Sequence, residues 1–178
     1  MRDQNDRPVK PIFVLFALCV SAAPALAQEP VGCDKFNWSL DKERATLTGT
    51  DLPKLASGSR ATWPLPFATI VTLKPFGEVK LPVAPERAPK SNNTFAGFIE
   101  ASAPAQSGTY KITLSSEGWT DVVQGDKRLK SIAATGATGC EGVRKSVKFE
   151  LAKAPFTVQF SGIEAGSVGV AISREQNK

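Results

Sequence analysis

Trp119 and Asp121 stand two positions apart in the run Trp119-Thr120-Asp121-Val122-Val123. On an extended strand alternate residues share a face, so Trp119, Asp121 and Val123 fall on one side and Thr120 and Val122 on the other. If the Val122 side lies in the core, an indole and a carboxylate face outward together. The ring can then stack a sugar and the carboxylate can accept its hydroxyl hydrogens. If the Trp119 side lies in the core instead, Asp121 is drawn inward and needs partners. Arg128, Lys130 or backbone N–H groups across a hairpin would supply them, because an unpaired buried carboxylate is too costly to keep. Both orientations remain open at this level.

Two basic clusters form a second candidate. Lys127-Arg128-Leu129-Lys130 and Arg144-Lys145-Ser146-Val147-Lys148 flank the stretch 136–142 that carries Cys140. A fold that joins them makes a patch suited to an acidic polysaccharide, a phosphate-bearing envelope lipid or an acidic partner protein. Lysine on strand edges also has a plainer use, which is to prevent edge-to-edge association. The candidate ligand-binding residues are therefore Trp119, Asp121, Arg128, Lys130, Arg144 and Lys145. Trp63-Pro64-Leu65-Pro66-Phe67 adds an apolar, proline-stiffened entry to a strand, read first as packing.

Enzyme chemistry finds little support. The chain has no histidine, which removes Ser-His-Asp and Cys-His centres and imidazole metal sites. No phosphate loop, dinucleotide fingerprint, nucleophile elbow or EF-hand loop is present. Glu117/Asp121 or Asp121/Asp126 would serve a glycosidase only if a cleft held them about 5 to 9.5 Å apart. No catalytic residue, cofactor or metal is expected, and a hydrolase using these acids is the minor alternative.

The start of the chain reads as an address. Arg2, Arg7 and Lys10 precede an apolar stretch at 12–23, too short for a membrane span of roughly 20 residues. Ala25-Leu26-Ala27 has the small-x-small cleavage pattern, so residues 1–27 are expected to be a signal peptide cut after Ala27. Residues 28–178 would form one domain, periplasmic or secreted, with no span in the mature chain. Removing 27 residues from 178 leaves 151, enough for a single core. The 22 basic and 17 acidic residues fall to 19 and 15, a net charge of +4. That excess suits anionic envelope surfaces and does not point to nucleic acid. Of three cysteines, Cys19 leaves with the leader. Cys33 and Cys140 remain as the one pair in an oxidising compartment and are expected to be bridged.

The elements that must position these groups are almost all strands. Residues 67–73, 94–102, 108–114, 145–151, 156–160 and 168–172 are rich in β-branched or alternating apolar residues. Val79, Leu81 and Val83 also alternate, as in an edge strand containing Pro82. Residues 145–151 and 156–160 are separated by a turn at Lys153-Ala154-Pro155 and are expected to form a hairpin. A tight turn is expected at Gly125-Asp126. The proline-rich stretch 82–93 is long for a hairpin loop and reads as a crossover between sheets. One short helix is expected at 41–47, capped by Asp41 and ended by Gly49. About eight or nine short strands with one N-terminal helix specify an all-β, antiparallel β-sandwich, with jelly-roll order preferred over a closed barrel.

Gly108-Thr109-Tyr110-Lys111-Ile112-Thr113-Leu114 resembles the "aGtYtltl" strand of the bacterial pre-peptidase C-terminal (PPC) domain, a small secreted β-sandwich that accompanies hydrolases. Phe156-Thr157-Val158-Gln159-Phe160 and residues 167–172 are compatible with the final hairpin of that family, so the resemblance covers 95–174. The chain departs from the pattern in carrying no peptidase and in having the Cys33/Cys140 pair. Residues 85–90, 119–124 and 144–149 also resemble exported β-sandwich proteins of proteobacteria, a likeness that brings no activity with it. The expectation is a non-catalytic binding module for a glycan or envelope component. The alternative is an assembly accessory that binds a partner protein through strand edges.

Overall fold

The computed structural model describes residues 28–61 and 67–176. The expected leader and the stretch from Trp63 to Pro66 lie outside the described residues. In chain order the strands are β1 (Lys54–Ala56), β2 (Arg60–Ala61), β3 (Phe67–Thr72), β4 (Lys74–Pro75), β5 (Phe95–Ala101), β6 (Gly108–Leu114), β7 (Trp119–Gln124), β8 (Lys127–Arg128), β9 (Ala133–Gly136), β10 (Lys145–Leu151), β11 (Phe156–Ile163) and β12 (Ser167–Arg174). The helix α1 (Asp41–Leu47) precedes them all.

The strands form two sheets. The first runs β1-β3-β12-β6-β10-β9 and the second β2-β5-β11-β7-β8, with β4 also paired to β5. Every pairing is antiparallel except the short β1–β3 and β2–β5 contacts. With β1, β2, β4 and β9 set aside, the order is β3-β12-β6-β10 facing β5-β11-β7-β8, and successive strands of this set change sheet except from β7 to β8. That is jelly-roll wiring.

This wiring corrects four sequence expectations, the first being that 82–93 crosses between sheets: it leads from β4 to β5, which pair with each other in the second sheet. β10 and β11 do not form a hairpin: β10 pairs with β6 and β9, and β11 pairs with β5 and β7. The link 152–155 crosses the sandwich, for which four residues at about 3.3 Å each suffice against a spacing of about 10 Å. β11 and β12 are likewise in different sheets. The alternating stretch Val79 to Val83 is no strand either. It follows a single 3-10 turn at Phe76–Glu78, and its apolar residues are half-buried while Glu78, Lys80 and Pro82 are exposed. The segment lies against a sheet without joining its ladder.

The core between the sheets is built by alternation. Tyr110 and Ile112 of β6 pair in register with Phe149 and Val147 of β10, and these four are buried together with Leu114 and Leu151. Val158 and Phe160 of β11 enter from the other side. Gly97 is a place of close approach, since a Cβ there would lie 2.8 Å from Leu73 Cδ2. The β7–β8 turn has glycine first, at Gly125 with φ of 61°, the conformation a two-residue hairpin loop requires and glycine supplies without strain.

A second, smaller apolar cluster lies outside the first sheet. Leu40 and Leu47 of the α1 segment pack on Ala68, Ala171 and Val143, with Phe36, Trp38 and Cys140 around them. Asp41 is not the cap. Leu40 holds that position without a side-chain bond, and Ser39 Oγ lies 3.4 Å from the Asp41 backbone N–H, which donates to it. The Cys33–Cys140 disulfide is present, with Cα atoms 4.8 Å apart. A parallel bridge between Val31 and Thr138 reinforces it, with Gly32 N–H donating to Thr138 O at 2.8 Å.

Candidate functional site

The β7 ladder decides the orientation that the sequence left open. Val122 pairs with Val158, and both are fully buried between the sheets. Trp119, Asp121 and Val123 therefore lie on the outer face of the second sheet. That face is covered. Asp121 is only 2% exposed, because the segment 83–87 lies across it.

Asp121 is engaged on both oxygens. Oδ1 accepts Trp119 Nε1–H at 3.0 Å and stands 3.6 Å from Arg128 Nε. Oδ2 accepts Gln159 Nε2 at 3.1 Å and the Glu86 backbone N–H at 3.3 Å. Gln159 in turn binds the Val83 backbone twice, donating to its carbonyl at 3.1 Å and accepting its N–H at 3.3 Å. Arg128 Nη2 donates to Ala84 O. Of the partners foreseen for a buried Asp121, Arg128 is used and Lys130 is exposed, while the backbone N–H comes from Glu86 in the covering segment and not from across the hairpin. The cluster sews the proline-rich segment to the sheet. Gln159 was the residue sequence reasoning missed. Its signal was parity: between inward Val158 and Phe160, a glutamine offers one donor and one acceptor to the opposite face.

Arg128 and Lys145, one from each basic cluster, both reach the Trp119–Asp121 pair, while Lys148 does not. Arg144 Nη2 lies 2.5 Å from Glu29 Oε2 and 3.2 Å from Glu117 Oε2. Lys145 Nζ is 3.2 Å from Glu117 Oε1, donates to Gly118 O at 2.7 Å, and stands 5.3 Å from the Trp119 ring centre. Arg87 lies over the same ring at 4.6 Å. Strand alternation sends Lys148 elsewhere, to the outer face of the first sheet. There it pairs with Glu175 and sits 4.3 Å from the Trp38 ring centre.

That second outer face holds a groove between α1 and the end of β12, of about 880 Å³. Its walls include Trp38, Lys42, Glu43, Lys111, Ser173 and Arg174. A volume of this order lies within the range of about 300–1,000 Å³ usual for small-ligand sites. Glu43 is 4% exposed. Its Oε1 is 2.6 Å from Lys111 Nζ and also accepts Ser173 Oγ–H. Both contacts fall on Oε1 of a side chain that lines the groove. Lys111 also donates to Ser39 O at 3.4 Å. Trp38 Nε1–H donates to Ser146 Oγ at 3.3 Å, which fixes the indole plane against the sheet.

The sequence carried a sign of this arrangement. Leu40, Glu43 and Leu47 are spaced three and four apart, so the glutamate occupies the inward stripe of the helix. A carboxylate there requires a cation from the sheet, and Lys111, outward on β6, provides it. Among the described residues no group of three or more acidic or sulfur ligands is placed to hold a metal ion. Compared with protein families, curated proteins and solved structures, the chain matches none.

Proposed function

We propose that this protein is a non-catalytic binding module of an oxidising, extracytoplasmic compartment, and that it takes a sugar-bearing envelope component in the α1/β12 groove. The observation that carries the reading is the pairing of Trp38 with the Glu43 carboxylate in one groove. An aromatic plate supports the apolar face of a sugar ring, and a carboxylate oxygen accepts its hydroxyl hydrogens. This is the chemistry first sought at Trp119 and Asp121, whose carboxylate is taken up by its own chain. The disulfide fits an oxidising compartment, and no helix among the described residues is long and apolar enough to cross a membrane.

Binding is favoured over hydrolysis because the two buried carboxylates, Glu43 and Asp121, lie on opposite outer faces of the sandwich. They are too far apart to share one glycosidic bond. Glu117, the other acid weighed for such a role, is held by Arg144 and Lys145.

Titration calorimetry against a panel of neutral and acidic oligosaccharides tests the reading. Trp38→Leu keeps an apolar side chain in the outer cluster and removes the plate, so affinity should fall about five- to tenfold, the equivalent of a lost stacking contact. Absence of binding across the panel at high protein concentration would sink the proposal, and release of cleaved sugar would sink its non-catalytic half.

A second reading rests on a different observation. Among the described residues Val31 and Ile132 are the large exposed apolar ones, at 61% and 55%, and both adjoin the outer sheet edge formed by β9. A partner protein adding a strand there would cover them. Stoichiometric co-purification that is lost with Ile132→Lys tests it.

A further inference from the structure

The charges around the groove point to the class of sugar, an inference that rests on the binding reading above. Lys111 is neutralised by Glu43 and Lys148 by Glu175. Two cations on the groove wall are left without a carboxylate. Arg174 is held by neutral acceptors, Gln106 Oε1 at 2.5 Å from Nη1 and Ser107 O at 3.4 Å from Nη2. Lys42, on the exposed side of α1, makes no ion pair among the described residues.

We propose that the groove selects an acidic sugar, whose anionic substituent is received at the rim by Lys42 and Arg174 while its ring lies against Trp38. The polarity of the site sets the pose. The Glu43–Lys111 pair is neutral as a unit and gives an anion no net attraction, so the charged group is turned outward to the unpaired cations. Arg174 is prepared for this task. Its bonds to Gln106 and Ser107 hold the guanidinium in place before any ligand arrives, and a planar fork matches a carboxylate or phosphate geometrically. The shared chemistry is a sugar ring bearing an anionic oxygen group, which either a uronate or a sugar phosphate supplies.

The test compares oligogalacturonate, the same oligomer with its carboxyl groups reduced to alcohols, and a hexose phosphate, by titration calorimetry on the intact mature chain. The acidic oligomer should bind at least about tenfold more tightly than its neutral counterpart. That advantage should shrink as salt rises from about 20 to about 500 mM, because rim charges are screened. Lys42→Gln with Arg174→Gln should bring the acidic ligand down to the neutral level. Lys42→Gln alone changes an exposed side chain that holds no ion pair, and should remove part of the preference with thermal unfolding unchanged. Binding of the phosphate with the uronate silent would support the anionic rim and assign it to phosphate. Equal binding of acidic and neutral oligomers, or a preference untouched by the rim substitutions, would overturn the inference while leaving the groove reading intact. Binding of none of the three would overturn both.

Discussion

Gln159 faces Asp121 across the β7–β11 ladder, and its amide donates to Asp121 Oδ2 at 3.1 Å and to the Val83 carbonyl at the same distance. One side chain thus ties a buried carboxylate to a segment with no strand of its own. The proline-rich stretch keeps its place through side chains rather than a backbone ladder. It should therefore come loose when either side chain is removed.

Asp121→Ala deprives the Trp119, Gln159 and Glu86 donors of their acceptor. The expected loss is about 2–4 kcal/mol in denaturant unfolding, between the value of a charged hydrogen bond and that of a broken buried pair. Gln159→Ala should cost less and act more locally. Trypsin should cut the variant at Arg87 or Lys90 much faster than the parent while β5 and β11 stay protected. Equal cleavage rates would remove Gln159 from this role.

The Glu43–Lys111 pair allows stability and binding to be separated. Lys111→Met leaves a buried carboxylate without its cation, at an expected cost of about 3–5 kcal/mol. Adding Glu43→Leu should recover most of that loss, since apolar replacements of a buried pair are often neutral or stabilising. The double variant should nevertheless bind no sugar. Recovery of both properties together would show that Glu43 serves α1 docking alone.

Much of this was legible beforehand, and the misses share a cause. Residues 108–114 and 41–47 were bounded correctly because glycine, proline and the apolar period all act locally there. The alternation at Val79, Leu81 and Val83 was also real, and it yields the expected half-burial. What the period cannot report is whether a ladder partner exists. Here β2 and β4 already occupy the free edge of β5, and the segment lies across the sheet face. The turn at Lys153-Ala154-Pro155 was likewise visible, but a turn signal does not say which sheet receives the next strand. The groove escaped because Glu43 looks like an ordinary solvated helix residue until its place beside Leu40 and Leu47 is noticed.

Thr120 Oγ1 is buried between the sheets without a hydrogen-bond partner among the described residues, opposite Phe160 in the ladder. Thr120→Val keeps the shape and removes the unsatisfied hydroxyl, so it should stabilise the protein by about 1–2 kcal/mol. A raised unfolding midpoint checks this. A lowered one would mean that the hydroxyl has an acceptor in solution.

Tyr110, the single tyrosine, donates its hydroxyl hydrogen to Gln106 O at 2.6 Å. Burial raises its pKa above the ordinary 10.0, and Arg174 opposes that shift more weakly. The unfolded chain therefore gives up this proton first. The stabilisation is intact below the unfolded value of about 10 and is lost as pH climbs through the folded one. Phenolate absorbance should appear together with unfolding, and Tyr110→Phe should delay alkaline unfolding. A phenolate that titrates at the ordinary value in an intact fold would contradict it.

The Cys33–Cys140 bond joins residues 107 apart, and β10, β11 and β12 all come after it in the chain. Yet β12 lies between β3 and β6, and β11 between β5 and β7. The bond thus closes a ring that holds the outer strands of both sheets, while the strands that join them follow it in the chain. A nascent chain can complete neither sheet until β11 and β12 emerge, whatever its cysteines have done by then. Loss of the residues beyond Leu151 would leave β10 between β6 and β9 but remove the strands that join β3 to β6 and β5 to β7.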